Sequence, residues 1–353
     1  MSIVSRARPE IQALGAYDAA AQVDDTVRLN ANESPLINAT DNFRRPLNRY
    51  PEVRPRRLQI ALSARFGCDT EQLLVTRGSS EAIDLLIRTF CRDGKDNLVI
   101  PSPSFSMYRH YAKVQGATVI EVAMCADRDF TIDVTALLDA CTDATRLVFV
   151  CSPNNPTGTP LPRADLLRLI EGCSNRSAVV VDEAYVEFGS EPSVIELLDA
   201  YPNLLVLRTL SKALGFAGAR CGAVAGAAGV IRMLSAVQAP YALATPVVEC
   251  VEDALQSDQL TAAESAVDQI ISERKRLVLA ISQYEFVQKV WPSDANFFLI
   301  RVGDVSRVMN CCEAHKVLLR SLGGDLPGCI RITVGSRADN DQLLRALDTL
   351  RDS

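Results

Sequence analysis

The stretch Leu147-Val148-Phe149-Val150-Cys151-Ser152-Pro153-Asn154-Asn155-Pro156-Thr157-Gly158 decides the fold of this chain. An unbroken apolar run ends abruptly in a cluster of proline, asparagine and glycine. A short continuous apolar segment bounded by turn formers is the signature of a strand buried on both faces of a parallel sheet. The pattern recurs at Leu98–Pro101, Thr118–Val122, Ala178–Asp182 and Leu204–Arg208. Helical spacing fills the gaps, at Ser80–Cys91, Tyr108–Gln115 and Arg163–Glu171. Strand and helix in alternation predict an α/β domain, with a mostly parallel central sheet and helices on both faces.

On either side the texture changes. Residues 1–45 are rich in turn formers and read as an N-terminal arm, expected to pack with a smaller C-terminal domain. Residues 46–245 form the large α/β domain. From Val247 to Trp291 there is neither Gly nor Pro, which predicts long helices. Strand candidates Asn296–Arg301 and Ile330–Val334 then alternate with helix candidates Val305–Lys316 and Asn340–Arg351. Residues 246–353 are therefore expected to form a small α+β domain.

Composition prunes the function classes. The 353 residues carry a net charge of −6, without the basic face of a nucleic-acid-binding protein. Two histidines, His110 and His315, cannot build a three-histidine zinc site, and no metal site is expected. The 11 cysteines include no C-x-x-C pair and read as reduced thiols. The first residues lack the apolar core of a signal peptide, and no apolar stretch approaches the ~18 residues of a membrane span. The expectation is a cytoplasmic protein without membrane or nucleic-acid partners.

Four motifs stand where chemistry is done. Arg77-Gly78-Ser79-Ser80-Glu81 opens a helix, and free N–H groups with two hydroxyls there make an anion cradle. Asn155 in Ser152–Gly158 sits at a strand's carboxyl end, the edge at which open α/β sheets bind ligands. Asp182 ends another strand and needs a partner if buried, with Tyr185 three residues on. Arg208-Thr209-Leu210-Ser211-Lys212, followed by Arg220, supplies two hydroxyls and a guanidinium around a lysine. A lysine desolvated beside cations is a nucleophilic amine. Each motif alone also fits a plain cap, a tight turn or a surface lysine. Together they match what pyridoxal 5′-phosphate needs: an amine for its aldehyde, a carboxylate for its ring nitrogen, donors for its phenolic oxygen and a cradle for its phosphate.

These residues resemble the fold type I aminotransferases over nearly the whole chain. Ser152–Gly158, Asp182–Tyr185 and Arg208–Lys212 in this order point to that superfamily. Leu29-Asn30-Ala31-Asn32-Glu33, Asn48-Arg49-Tyr50-Pro51 and Arg331-Ile332-Thr333-Val334-Gly335 are similar to its histidinol-phosphate branch. The resemblance implies pyridoxal 5′-phosphate as cofactor, bonded to Lys212. It implies Asp182 at the ring nitrogen, Asn155 and Tyr185 at the phenolic oxygen, and Tyr108 stacked on the ring. Ser79, Ser80, Thr209, Ser211 and Arg220 would hold the phosphate. Substrate would meet Tyr17, Asn32, Arg320 and Arg331, with Tyr50 donated across a homodimer with shared active sites. The implied reaction is amino transfer between histidinol phosphate and 2-oxoglutarate. The alternative is a related enzyme of aromatic amino acids or of a phosphorylated amino acid, a transaminase or decarboxylase. The chain departs from the family's pattern at Ser80, where an acidic residue is common, at Phe216, and in the short segment between Arg320 and Arg331.

Overall fold

β-Branched and leucine-rich runs with both faces covered build the central sheet. The computed structural model describes residues 3–15, 17, 20–22 and 26–350, without the side chains of 257–259 and 325. The strands are β1 (Leu73–Thr76), β2 (Asn97–Ser102), β3 (Thr118–Ala123), β4 (Thr145–Cys151), β5 (Ala178–Asp182), β6 (Leu204–Thr209) and β7 (Gly222–Gly226). They lie in the order β1-β7-β6-β5-β4-β2-β3. Only β7 runs against its neighbours. β4, β5 and β6 therefore deliver their three motifs to one edge, where Cys151 pairs with Asp182 and Asp182 with Leu207.

Along these strands alternate side chains enter opposite layers. Val148, Val150, Val179, Val181 and Val206 join one cluster, and Phe149, Val180, Leu205 and Leu207 join the other. Helices α1 (Pro9–Gln12), α2 (Arg56–Phe66), α3 (Gly78–Phe90), α4 (Met107–Gln115), α5 (Val134–Ala140), α6 (Arg163–Gly172) and α7 (Ala228–Val237) cover the sheet. α3, α4 and α7 lie on the Phe149 face, and α2, α5 and α6 on the Val148 face. The expected strands and helices are all present. β1 and β7 were not expected: one is four residues long, and the other, Gly-Ala-Val-Ala-Gly, has little apolar bulk.

The C-terminal part holds an antiparallel sheet of β8 (Val287–Val290), β9 (Phe297–Val302), β10 (Arg320–Ser321) and β11 (Cys329–Thr333), in the order β10-β11-β9-β8. Between α8 (Thr245–Ala254) and this sheet runs α9 (Ser257–Ile281), and α10 (Val305–Ala314) and α11 (Arg337–Asp348) complete the layer. Arg351, the expected end of the last helix, lies outside the described residues.

Two expectations about organisation are corrected. α8 packs on α2, with Val248 and Val251 in the large core, so the structural break does not fall at residue 246. α9 instead joins the two parts. Val267 faces the large core, Leu277 and Ile281 face the small one, and buried Arg274 between them donates to the carbonyls of Phe188 and Ala295. The arm begins not on the small domain but on the α3–α7 layer, where Ile3 and Ala7 are buried and the Arg8 N–H donates to Thr89 O at 3.0 Å. Further on, Glu249 of α8 accepts the N–H groups of Arg44 and Arg45.

The tightest backbone approach in the sheet is at Gly222, which pairs with Thr76 on one side and Thr209 on the other. A Cβ there would lie 2.7 Å from Arg208 O and 3.0 Å from Gly78 Cα. Gly222→Ala must therefore push α3's first turn off the sheet. It should cost about 1–3 kcal/mol, the usual range for overpacking, read as a lowered urea midpoint with unchanged slope.

Candidate active site

At the carboxyl edge of the sheet, β4, β5, β6 and α3 converge with the β10–β11 hairpin on a cavity of about 560 Å³. Of the fifteen site residues expected from the sequence, eleven meet here. Ser79, Ser80, Asn155, Asp182, Tyr185, Thr209, Ser211, Lys212, Arg220, Arg320 and Arg331 all line it. Tyr108 and Tyr50 do not. Asn32 and Tyr17 also lie elsewhere. The described wall carries four cations, Lys212, Arg220, Arg320 and Arg331, against one carboxylate, Asp182, so an acidic chain presents a cationic cavity.

The anion end is built from backbone. Gly78 takes φ +73°, a left-handed conformation that glycine reaches without strain, and turns β1 into α3. The Arg220 guanidinium lies over its bare Cα, where any Cβ would stand 2.7 Å from Nη2. Arg220 Nη1 donates to Ser211 Oγ at 3.4 Å and Ala217 O at 3.1 Å, and Thr209 Oγ1 donates to Ser211 Oγ at 3.0 Å. Glu81 bends back to accept the Arg77 N–H and guanidinium and so caps the helix start. Hydroxyls, a guanidinium and a helix N-terminus are thus gathered at one end.

At the middle of the cavity Asn155 and Tyr185 are buried and bonded, Asn155 Nδ2 donating to Tyr185 Oη at 3.1 Å. Burial pushes the Tyr185 hydroxyl well above its ordinary value, so it remains a phenol. Asp182 is 2% exposed. Burial pushes its carboxyl up to about 6, against the pull of the Tyr108 hydroxyl, the Ala184 N–H and Lys212. Lys212 opens to the cavity from the loop after β6, its Nζ 5.7 Å from the Tyr185 ring centre. Partial desolvation of its amine, then Arg331 and Arg220, hold its ammonium below the usual lysine value, with Asp182 opposing.

The hairpin supplies the other end. Its shortness puts Arg320 directly opposite Arg331 in the antiparallel register. Arg331 Nη1 donates to Asn155 Oδ1 at 2.6 Å, its guanidinium lies over the Phe297 ring, and its buried Nε has no partner among the described residues. Two like charges in register and an orphaned N–H leave room for an anion.

Tyr108 is corrected. It is wholly buried behind the wall, stacked on Phe149 with ring centres 4.8 Å apart, so it cannot stack on a molecule in the cavity. Phe105 lines the cavity in its place. The two aromatics stand either side of the α4 start, and helix phase turns Tyr108 inward. Neither Phe105 nor the organising Asn154 was expected. Asn154 is fully buried and bonds Ser104, Pro103 O and Thr157, which ties the β2 and β4 loops together. Tyr50 stacks on Tyr241 at 4.7 Å and Tyr17 meets the same ring edge-on at 6.4 Å, away from this chain's cavity. Glu33 anchors that region. Despite its burial, the Tyr50 N–H, Arg49 and Arg28 hold its carboxyl below the usual range. Asn32 beside it is exposed, with φ 56°. Among the described residues no cluster of His, Cys, Asp or Glu could hold a metal ion, and no helix is long and apolar enough to cross a membrane.

The donor set fits a phosphorylated pyridine aldehyde on this structure's own terms: a cradle at one end, a buried carboxylate, a phenol–amide pair and an amine of lowered basicity. Comparison with known proteins agrees. Residues 15–347 match the model of the aminotransferase class I and II family. The chain is 40% identical to a histidinol-phosphate aminotransferase of Xanthomonas campestris, covering 98% of this chain and 97% of that one. It is 37% identical to histidinol-phosphate aminotransferase 1 of Haemophilus influenzae, covering 99% and 100%. Its fold is similar to that of the histidinol-phosphate aminotransferase of Sinorhizobium meliloti in complex with pyridoxal-5′-phosphate, with TM-score 0.77, 21% identity and coverage of 87% and 83%. The chain belongs to the class I and II aminotransferase family, on its histidinol-phosphate aminotransferase branch.

Proposed function

We propose that this enzyme moves an amino group between histidinol phosphate and 2-oxoglutarate, with pyridoxal 5′-phosphate as cofactor. The observation that carries the substrate reading is the pair of arginines opposed across one hairpin, Arg320 and Arg331, on the wall that Lys212 shares. Such a pair suits a phosphate ester, and the relatives' names supply the amine.

When bound, the cofactor supplies an aldehyde and an electron-withdrawing ring. Ser79, Ser80, Thr209, Ser211 and Arg220 would hold its phosphate. Asp182 would meet its ring nitrogen, Asn155 and Tyr185 its phenolic oxygen, and Phe105 is the aromatic available to cover a face. Lys212 does the acid–base work. Its lowered basicity leaves more neutral amine than a surface lysine has, the form needed both to attack an aldehyde and to accept a proton. Lys212 Nζ would take a proton from the amine-bearing carbon of the substrate and deliver it to the carbon on the other side of the transferred nitrogen. Arg331 is placed to hold the substrate while releasing Asn155.

Tyr17, Asn32 and Tyr50 lie outside this chain's cavity, and Val27 and Leu29 beside them are 86% and 91% exposed. We read this surface as the contact of a cytoplasmic homodimer whose subunits share their sites. Light scattering should give twice the 38.4 kDa chain mass, and a monomer would sink this part of the reading.

Two tests bear on the reaction. Borohydride treatment of the cofactor-loaded enzyme should fix the cofactor's mass on the peptide containing Lys212, and Lys212→Ala should lose both the label and turnover. A labelled, active variant overturns the assignment. Arg331→Ala should raise KM for histidinol phosphate about 10- to 100-fold, the worth of a charge-assisted pair, and leave binding of unphosphorylated histidinol almost unchanged. Equal loss for both compounds would remove the phosphate role.

A further inference from the structure

We infer that Tyr108 is a positioning residue for Asp182: its phenol, sealed behind the cavity wall, donates to the carboxylate and keeps it charged and fixed in direction. The inference rests on the reading of Asp182 as the partner of the cofactor's ring nitrogen.

The geometry carries it. Tyr108 Oη donates to Asp182 Oδ2 at 2.8 Å, and the Ala184 N–H donates to Oδ1 at 3.2 Å. Each oxygen thus has one protein donor and a lone pair left for a molecule in the cavity. Both partners of the 2.8 Å bond are buried, at 0% and 2% exposure, so water does not compete. Tyr108 itself cannot drift. Its ring is stacked on Phe149 at an interplanar angle of 20° and meets Phe105 edge-on at 88°. The bond joins the helix layer to the sheet, since Tyr108 belongs to α4 and Asp182 ends β5.

The groups facing Asp182 are few. Tyr108 comes from α4, the Cys151 thiol from β4 and Lys212 from the loop after β6, with Tyr185 on the cavity side. The Cys151 thiol donates to Pro153 O and is pushed well up by burial, so it is neutral. Burial also raises the Tyr108 hydroxyl well above its ordinary value, so it remains a donor throughout the working pH range. No Lys or Arg forms a direct ion pair with Asp182 among the described residues. The phenol and one backbone N–H are therefore its direct protein donors. Without the phenol, burial would go less opposed and more of the carboxyl would be protonated at neutral pH.

The test uses the cofactor itself as probe. Tyr108→Phe keeps the ring and its stack and deletes only the hydroxyl. At pH 7 the dissociation constant for pyridoxal 5′-phosphate should rise about tenfold, and the midpoint of its pH dependence should move up. Installing 3,5-difluorotyrosine at position 108, a more acidic phenol and stronger donor, should move that midpoint down. A structural defect would not move it in opposite directions. Unchanged affinity and midpoint in both proteins overturn the inference. The apoprotein gives a second readout. The Asp182 carboxyl, raised to about 6, contributes stability that is present below about pH 4 and lost as pH rises through 6. Tyr108→Phe should therefore lose more stability relative to wild type at pH 8 than at pH 4. Equal loss at both overturns the inference. If wild type fails to bind the cofactor, the cofactor reading falls, while the apoprotein comparison still decides the role of Tyr108.

Discussion

A carboxylate buried at the end of a central strand is the constraint around which this molecule is arranged. Asp182 is cut off from water, yet it has no cation in direct contact among the described residues. Leaving such a group charged costs free energy unless fixed dipoles surround it. The sheet order brings those dipoles from three places: a phenol from α4, a backbone N–H from its own turn, and the distant Lys212 ammonium from the next strand's loop. The parallel run β4-β5-β6 is what makes one edge of the sheet common to all of them. The single reversed strand, β7, then brings Gly222 alongside Gly78, which brings the anion cradle close.

Much of this was legible in the sequence because it is local. A strand followed at once by its functional turn puts Asn155, Asp182 and Lys212 at the same edge whatever the rest of the chain does. The arginines of the hairpin were legible as charges, but their face-to-face register follows from a strand of two residues that no periodicity could reveal. The same holds for β7, whose glycines and alanines carry too little apolar signal.

Where two residues of the same type compete for one role, the sequence runs out. Phe105 and Tyr108 are both aromatic and three positions apart. Only the start of α4 at Met107 decides which ring meets the cavity and which turns into the core. The arm and α8 were misplaced for a related reason. Their partners are distant in the chain: Ile3 lies in the cluster built on α3 and α7, and Glu249 meets Arg44 and Arg45 across about 200 positions. Neither partnership leaves a mark in either segment alone.

The Arg331–Asn155 hydrogen bond joins a side chain of the small antiparallel sheet to one of the large parallel sheet. Its Nη1 is thus already engaged by a neutral amide oxygen before any ligand arrives. An incoming anion that recruits this N–H has to displace that oxygen, so net affinity is the difference between two bonds rather than the strength of one. A doubly charged phosphate exceeds an amide as an acceptor by a wide margin, and a neutral hydroxyl does not. The internal bond therefore works as a threshold, so that selectivity in this cavity begins with what the protein must give up.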